Sequence, residues 1–204
     1  MNKVRVAVLC SGGGTNLQAI IDRAASGGIP SGELALVVSD NAGAYALERA
    51  RAAHIATFVA DKKSIPDRAQ RERAILGALE AHGIGLVVLA GFMTILSEAF
   101  TGRYEMRIIN VHPSLIPSFC GPGFYGLKVH EAALARGVKV TGATVHFVNE
   151  VCDGGPIIAQ KAVNVEEGDT PETLQKRVMR EAEWVILPQA VETVCAHILS
   201  EQKE

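Results

Sequence analysis

The sequence predicts one α/β domain with a Rossmann-like, mostly parallel twisted sheet and helices on both faces. Two apolar runs without polar alternation, Val4–Cys10 and Leu86–Ala90, have the pattern of parallel strands that are buried on both sides. Helix-favouring segments separate these runs from other short apolar stretches, and such strand–helix alternation is typical of a parallel sheet. The chain has 204 residues, of which 48% are hydrophobic and 21% charged, so it can bury a sizeable core without disulfides or metal.

The first half of the chain alternates strands and helices with clear stop signals between them. Gly27-Gly28 and Pro30 end the first predicted helix, and Gly83 ends the third, because these residue types terminate helices. The middle helix has good intrinsic propensity, and the third is charged and amphipathic. The predicted strands are Val4–Cys10, Leu34–Ser39, Thr57–Ala60 and Leu86–Ala90, and the predicted helices are Leu17 to about Ala25, Ala44–Ala53 and about Asp67 to His82.

The second half departs from this alternation and predicts an added antiparallel strand and a long helix. A Gly-rich loop, Phe119 to Gly126, follows the first strand of this half. Pro188 lies within the last helical segment and predicts a kink or a break there. The predicted strands are Met106–Val111, Val140–Val148 and Ile157–Val165, and the predicted helices are near Lys128–Arg136 and over most of Thr170–Leu199.

Charge and composition exclude several classes of protein. A formal net charge of −2 gives no reason to expect nucleic acid or an anionic membrane as a partner. The N-terminus has no signal-peptide pattern, and no eighteen consecutive residues are apolar, so we expect neither secretion nor a membrane helix. The four scattered cysteines favour reduced thiols in a cytoplasmic protein, and no His/Cys/Asp cluster has metal-ligand spacing, so we expect no metal.

The segment Ser11–Asn16 joins the first strand to the first helix and has the pattern of a phosphate cradle. Three adjacent glycines let main-chain N–H groups approach an anion at a helix N-terminus. The dinucleotide motif would need a glycine at Leu17, and no Gly-Lys-Ser/Thr follows as in a P-loop. The alternative is a tight turn in which Thr15 or Asn16 only caps the helix. The number of glycines favours a phosphomonoester.

Asn110 and His112 are the strongest candidates for catalysis. They are two residues apart at the end of a predicted strand, so their side chains point the same way. Pro113 and Pro117 stiffen the turn that follows. Asp153, in the turn Asp153–Pro156, could stabilise a charged His112, and an amide, an imidazole and a carboxylate together can stabilise an oxyanion and move a proton. The alternatives are a satisfied core histidine and a turn aspartate, and His146 could face the site or be structural.

Four motifs together resemble one enzyme family. They are Ser11–Ile20, Ala90–Met93, Asn110–Leu115 and Asp153–Pro156, and their order covers nearly the whole chain. The chain resembles the folate-dependent phosphoribosylglycinamide formyltransferases. This resemblance implies transfer of a formyl group from 10-formyltetrahydrofolate to the amine of glycinamide ribonucleotide, with no metal and no covalent enzyme intermediate.

The resemblance also implies roles for individual residues. Asn110 would bind the developing oxyanion, His112 would act as imidazolium and general acid, and Asp153 would keep His112 charged and relay a proton. One half of the domain, 1–100, would bind the nucleotide phosphate, and the other, 101–204, would hold the catalytic and folate-binding groups. The implied substrate-binding residues are Gly14, Thr15, Asn16, Met93, Val111, Pro113, Arg180 and Glu183. The implied folate-binding residues are Arg68, Met93, Thr94, Ile95, Leu96, Asn149, Glu150, Val151, Cys152 and Asp153.

The chain departs from the family pattern at three places, and each departure leads to a further expectation. Thr94 stands where many members have an arginine, so the contact of that side chain would be lost. The loop Ser118–Tyr125 is longer than in familiar bacterial members, which suggests a mobile flap, or else a static surface loop. The helix Arg177–Glu183 is one residue longer, so either Met179 or Arg180 would meet the phosphate, and Arg180 is the chemically sensible one.

Other functions, related and unrelated, predict different features of the sequence. A formyltetrahydrofolate deformylase would have a second histidine after the catalytic one, where this chain has Pro113. A methionyl-tRNA formyltransferase would need a C-terminal RNA-binding domain, whereas the sequence ends with its last helix. A sugar-amine formyltransferase uses the same trio but does not predict this cradle. The alternative of another class is a non-catalytic module that binds a nucleotide phosphate. We expect small-molecule partners only, and a monomer or homodimer.

Overall fold

A mixed seven-stranded sheet lies at the centre of the computed structural model, which describes residues 3–202. The strands are β1 (Val4–Leu9), β2 (Gly32–Ser39), β3 (Ala56–Val59), β4 (Leu86–Leu89), β5 (Ile108–His112), β6 (Val140–Phe147) and β7 (Ile157–Asn164). Their order is β3-β2-β1-β4-β5-β6-β7, in which β6 runs antiparallel to both of its neighbours and the other strands all run in the same direction. The predicted fold class is therefore confirmed.

One strand boundary differs from its prediction in a way that matters for the site. The prediction began β5 at Met106, but Met106 has φ 53°, in the left-handed region, and cannot continue a strand. The strand instead runs from Ile108 to His112. The strand thus includes both Asn110 and His112, which confirms that the two side chains lie on one strand and point the same way.

Seven α-helices lie among residues 3–202, and most agree with the predicted segments to within two residues. The first helix begins at Thr15 rather than Leu17, and Asp67 caps the third through a hydrogen bond from Gln70 N. The short helix after β4 was not predicted, because four residues are too few to show helical periodicity. The helices are α1 (Thr15–Ala25), α2 (Tyr45–Ala52), α3 (Arg68–Ala81), α4 (Glu98–Thr101), α5 (Leu127–Arg136), α6 (Pro171–Val178) and α7 (Trp184–Glu201).

The predicted C-terminal helix is interrupted before its proline, not at it. A π-helical turn, Met179–Glu183, separates α6 from α7, and α7 continues through Pro188. A proline inside a helix clashes with the carbonyl four residues earlier, which here belongs to Trp184. Trp184 directly follows the π-helical turn, which is wider than a regular α-helical turn. The clash between Pro188 and the Trp184 carbonyl is therefore reduced. The predicted break at Pro188 was therefore wrong in position.

Two hydrophobic layers cover the sheet. Val6 and Val8 pack in the layer formed with α1, α2, α6 and α7, whereas Ala7 and Leu9 pack in the layer formed with α3 and α4. Successive residues of a strand point to opposite faces, so a strand buried on both sides needs an unbroken apolar run. No helix within residues 3–202 is long and apolar enough to cross a membrane.

The sheet has a topological switch point at β1, because the chain adds strands first on one side of β1 and then on the other. β1 pairs with β2 on one side and with β4 on the other. The loops that leave β1 and β4 meet at this point, where Ser11 N donates a hydrogen bond of 3.0 Å to Gly91 O. Ligands of open α/β sheets bind at such a switch point, beyond the carboxyl ends of the strands.

Candidate active site

Asn110 and His112 meet Asp153 at the carboxyl end of β5. The Nδ1 atom of His112 lies 3.5 Å from Asp153 Oδ2, and the Nδ2 atom of Asn110 lies 3.2 Å from His146 Nε2. The same Nε2 atom of His146 lies 3.6 Å from Asp153 Oδ1. The structure thus brings the three predicted catalytic residues into one cluster, with His146 as a fourth member.

Both ring nitrogens of His112 face hydrogen-bond acceptors. Nε2 is 2.9 Å from the carbonyl oxygen of Phe119, and Nδ1 faces the Asp153 carboxylate. A carbonyl oxygen and a carboxylate can only accept, so an imidazolium can donate to both, whereas a neutral ring can donate to one. The ring is only 4% exposed, which fixes its orientation. The surroundings therefore suit a positively charged His112.

The Asp153 carboxylate is held in its ionised form. Burial acts to raise its pKa, but the close approach of His146, the charge of His112 and the main-chain N–H of Gly121 together leave the pKa below its ordinary value. The Gly121 N–H donates to Oδ2 at 2.8 Å. Asp153 itself has φ 55°, a left-handed conformation that aspartate tolerates better than most residues. The turn thus presents an anion to His112.

His146 orients the amide of Asn110. Its Nδ1 lies 2.7 Å from its own neighbour's carbonyl, Phe147 O, and that oxygen can only accept, so Nδ1 carries a proton. In the neutral ring, Nε2 is then an acceptor for Asn110 Nδ2, which leaves the second N–H of the amide unused by this contact. Sequence analysis left His146 undecided. The signal that identifies it is its place on β6 directly opposite Asn110.

The predicted phosphate cradle leads into α1. Gly14 is the N-cap residue with φ 71°, and it makes no side-chain cap, so neither Thr15 nor Asn16 caps the helix. A Cβ on Gly14 would lie 2.7 Å from Ala46 Cβ, so this position admits only glycine without a shift of α2. The main chain at Gly12 and Gly13 borders open space. The first turn of α1 therefore leaves its N–H groups accessible to an anion.

Glu183 reaches the cradle from the π-helical turn. Its Oε2 accepts a hydrogen bond of 2.6 Å from Asn16 Nδ2. Burial raises the pKa of Glu183 above its ordinary value, although the Asn16 bond acts in the opposite direction. The other amide atom, Asn16 Oδ1, is buried without a hydrogen-bond partner among residues 3–202. Arg180 instead points to solvent, with a side chain 70% exposed and 3.0 Å from Glu181.

A cation that sequence analysis missed lies beside the cradle. Arg49 Nε donates to Gly13 O at 2.8 Å, and its second arm donates to Gln18 Oε1 at 2.9 Å. Its guanidinium also lies over the Tyr45 ring, 5.1 Å from the centroid. A groove of about 510 Å³ continues from here along α1, but its lining includes none of the catalytic trio. We therefore place the site by the side-chain cluster and not by this groove.

The predicted folate wall lies in the loop that follows β4. β4 pairs with β5 so that Leu89 lies opposite Asn110, which brings the next residues beside the cluster. The apolar side chains of Met93 and Ile95 are both more than half exposed. Leu96 is buried. The exposed pair offers an apolar surface at the edge of the site.

Thr94 makes a contact that the resemblance described above did not imply. Its hydroxyl donates to Asp40 Oδ2 at 2.6 Å. On the far side of the same loop, Arg68 Nε lies 2.9 Å from Glu72 Oε1, which also accepts from Ser97 N at 3.0 Å. Arg68 is thus linked through Glu72 to the residue that follows Leu96. This places a half-exposed cation next to the predicted folate loop.

The remaining predicted binding residues divide between the site and the core. Asn149 Oδ1 accepts from Val151 N and closes a turn, with Glu150 and Val151 exposed. Cys152 Sγ lies 3.9 Å from Asp153 Oδ2. Val111, by contrast, is buried in the core on the opposite face of β5 from Asn110, so only its main chain can line the site. Pro113 is half-buried beside His112.

The Gly-rich loop touches two members of the catalytic cluster. Phe119 supplies the carbonyl that meets His112, and Gly121 supplies the N–H that meets Asp153. Phe119 has φ 50°, and the Phe119 and Phe124 rings pack edge to face with centroids 6.4 Å apart. In this conformation the loop lies over the site. Its movement as a flap remains a prediction.

His130 is a buried histidine close to His112. It lies on α5, is 1% exposed, and neither ring nitrogen has a hydrogen-bond partner among the described residues. Burial, and to a lesser degree the charge of His112, lowers its pKa from 6.5 to about 4. His130 is therefore neutral in the folded protein at neutral pH.

The neutral state of His130 predicts a pH-dependent stability. Its folded pKa lies below its unfolded value, so the unfolded chain binds a proton first, and stability that is present above pH 6.5 is lost as the pH falls toward 4. Between pH 7 and pH 5 we expect wild type to lose up to about 2 kcal/mol more than a His130→Met variant. Urea unfolding at both pH values measures this. His197→Met, at an exposed site, is the control, and equal losses in wild type and His130→Met would contradict the prediction.

No three or more His, Cys, Asp or Glu side chains among residues 3–202 are grouped so as to hold a metal ion. The four cysteines within that span are free thiols. Burial, with the nearby Asp153 charge, raises the pKa values of Cys120 and Cys152. Neither thiol is therefore activated as a nucleophile.

Comparisons with known proteins agree on one family. The family model described as Formyl transferase matches residues 4–191. The phosphoribosylglycinamide formyltransferase of Bacillus subtilis (strain 168) is 41% identical over 88% of this chain and 90% of its own length. The trifunctional purine biosynthetic protein adenosine-3 of Gallus gallus is 46% identical over 96% of this chain, which spans only 19% of that longer protein. The crystal structure of glycinamide ribonucleotide transformylase 1 from Symbiobacterium toebii has a TM-score of 0.89 and 44% identity, with 96% of this chain and 89% of that chain covered.

Proposed function

The chain belongs to the formyltransferase family, and on that premise we propose that it is a phosphoribosylglycinamide formyltransferase of purine biosynthesis. It transfers a formyl group to the amine of 5'-phosphoribosylglycinamide, giving 5'-phosphoribosyl-N-formylglycinamide. The formyl donor is 10-formyltetrahydrofolate, which leaves as tetrahydrofolate. Within the family, the glycine cradle of this chain is what favours this substrate.

The observation that carries the proposal is the position of the Asn110–His112–Asp153 cluster. It lies at the carboxyl end of β5, which pairs with β4, the strand that leads into the apolar loop, and β4 in turn pairs with β1, the strand that leads into the glycine cradle. A nucleotide phosphate on the cradle and a folate against the loop would direct the amine and the formyl group toward the same cluster. A binding module without catalysis has no need of an amide, an imidazole and a carboxylate at that point.

Asn110 and His112 stabilise the charge that develops during transfer. Attack of the amine places negative charge on the formyl oxygen, and the free N–H of Asn110 donates to it. A positively charged His112 on the same side of β5 adds electrostatic stabilisation. His146 fixes the amide, and Phe119 and Asp153 fix the imidazole, so neither group must reorganise.

Asp153 maintains the charge of His112 and accepts or passes on a proton. Its carboxylate is ionised at neutral pH and lies against both histidines of the cluster. The amine must lose a proton and the leaving folate nitrogen must gain one, so a carboxylate–imidazole pair, helped by water, can balance the two transfers. We expect the rate to depend on pH through the His112–Asp153 pair, and a flat profile across neutral pH with chemistry rate-limiting would count against their coupling.

The residues around the cluster fit the two ligands. Met93, Ile95 and Val151 are exposed apolar side chains on the folate side, and Arg68 offers a cation to the glutamate tail. The folate derivative supplies the activated one-carbon group. On the nucleotide side, the unpartnered Asn16 Oδ1 and the buried Glu183 can bind the donors of a ribose or a glycinamide.

The proposal includes several parts that rest on the family alone. Gly14, Thr15 and Asn16 bind the phosphate, with Arg180 as the mobile cation that can turn from Glu181 toward it. Asn149–Asp153 and Met93–Leu96 bind the pterin. The reaction needs no metal. A cytoplasmic location and a monomer or homodimer complete the proposal.

The test is a formyl-transfer assay with defined substrates. The purified protein is given 5'-phosphoribosylglycinamide with 10-formyltetrahydrofolate, and in parallel with formate and ATP. We expect formylated nucleotide and tetrahydrofolate only in the first mixture. Activity only with formate would overturn the folate assignment, activity only with an amino-sugar nucleotide would indicate a sugar-amine formyltransferase, and nucleotide binding without any transfer would indicate a binding module.

A further inference from the structure

Asp40 is a buried carboxylate at the end of β2, outside the catalytic cluster. Its side chain is only 2% exposed. One of its oxygens, Oδ2, lies 2.7 Å from the ammonium of Lys62 and accepts the Thr94 hydroxyl hydrogen bond at 2.6 Å. The other oxygen, Oδ1, is buried and has no hydrogen-bond partner among residues 3–202.

These contacts connect the segments that follow three strands of the sheet. Asp40 follows β2, Lys62 lies beyond β3, and Thr94 lies in the loop after β4. The same loop is held one residue earlier, where Met93 N donates to Ser11 Oγ at 2.9 Å. The main chain of Met93 and the side chain of Thr94 are thus both anchored, and the two anchors come from different strands.

Stability alone does not account for this arrangement. A buried charge with one oxygen unpaired costs free energy compared with an apolar group of the same size. Burial acts to raise the pKa of Asp40, but its contacts with Lys62 and Thr94 outweigh the burial and lower the pKa, so Asp40 remains ionised. A charge maintained at such a cost is best explained by the geometry that it imposes on its partner.

We propose that Asp40, supported by Lys62, is a positioning residue that fixes the loop Met93–Leu96 in the shape that receives the folate ring. The inference rests on the proposed function, because it assigns the loop to folate. Thr94 lies between the two exposed apolar side chains of the loop, Met93 and Ile95. Holding Thr94 therefore holds the surface that both present.

A loop that is already fixed before binding loses less conformational entropy when the ligand binds. Release of Thr94 should weaken folate binding and leave the nucleotide side unchanged, because the cradle after β1 does not depend on the Thr94 hydroxyl. This selectivity separates a positioning role from a general loss of fold. A merely structural role would lower the unfolding temperature and leave the affinity ratio of the two ligands unaltered.

The test uses the full chain and four variants. Thr94→Val removes the hydroxyl at nearly constant volume, and Thr94→Ser keeps it as the matched control. Asp40→Asn removes the ion pair with Lys62, and its amide oxygen can still accept from Thr94. The fourth variant combines Asp40→Asn with Thr94→Val. Calorimetric titration with tetrahydrofolate and with 5'-phosphoribosylglycinamide, together with KM and kcat for both substrates, provides the readouts.

We expect Thr94→Val to raise the tetrahydrofolate Kd and the donor KM by roughly 5- to 20-fold, with the nucleotide Kd within about twofold. Thr94→Ser should restore wild-type values, and the double variant should be no worse than Thr94→Val, because Asp40 acts on the loop through the Thr94 hydroxyl and has no hold on the loop once that hydroxyl is gone. An unchanged folate Kd in Thr94→Val, equal losses for both ligands, or effects of Asp40→Asn and Thr94→Val that multiply would each overturn the proposal. Wild type that neither binds tetrahydrofolate nor transfers formyl groups would instead refute the proposed function itself.

Discussion

Replacement of His112 by alanine is expected to lower kcat for formyl transfer by about 10²- to 10⁴-fold. The change removes the positive charge that faces the developing oxyanion, and it leaves the Asp153 carboxylate without one of its two histidine neighbours. Steady-state kinetics with both substrates measure the loss. The KM values should change much less than kcat, since His112 interacts with a charge that exists only during the reaction.

The His112 result needs proof that the protein remains folded. Thermal unfolding and tetrahydrofolate binding of His112→Ala should stay near wild type, because the substitution opens a cavity at the edge of the site and not in the two hydrophobic layers. His197→Ala, on an exposed face of α7, is the matched control and should keep full activity. A folded His112→Ala protein with kcat within tenfold of wild type would contradict the assigned role.

Removal of the Asn110 amide is expected to lower kcat by about 10²- to 10³-fold, the usual cost of one oxyanion donor. Asn110→Ala deletes the donor, and Asn110→Asp keeps the shape but replaces the donor with a carboxylate near Asp153. If donation is the function, the aspartate variant should be at least as impaired as the alanine variant. Asn164→Ala, at the exposed end of β7, serves as control.

The Asn110 prediction also specifies which constant changes. Loss of a donor to the oxyanion should appear in kcat at constant nucleotide KM, measured by initial rates at saturating donor. An Asn110→Asp enzyme that retains more than a tenth of wild-type kcat would show that steric placement and not hydrogen-bond donation is required. Loss of nucleotide binding with unchanged kcat would assign Asn110 to ground-state recognition.

The parallel part of the fold could be predicted because its signals are local. The apolar run Val4–Cys10 and the glycines after it define a buried strand, a turn and a helix within one continuous segment. Asn110 and His112 could be paired for the same reason, since the period of two in a strand fixes their common direction. The resemblance to a known family then related these segments to one another.

Other parts depended on contacts that no local pattern contains. His146 acquires its role from the antiparallel pairing of β5 with β6, and Asp40 meets Thr94 only because the loops after β2 and β4 converge. The position of the helix break depended on the π-helical turn, which has no residue-level signal as strong as that of Pro188. Sequence patterns describe neighbours along the chain, and these features are neighbours across it.

The π-helical turn Met179–Glu183 has a consequence for chain length. An α-helix rotates about 100° per residue, so one residue added to a regular helix would turn every later side chain away from its partner. A π-helical turn takes up one additional residue locally. Glu183 therefore still reaches Asn16, and α7 still packs on the sheet, although the resemblance implies that this segment is one residue longer than in its relatives. With this turn, the number of residues in the segment can change without changing the direction in which the later side chains point. The segment can therefore accept an insertion or a deletion here while the nucleotide side of the site keeps its shape.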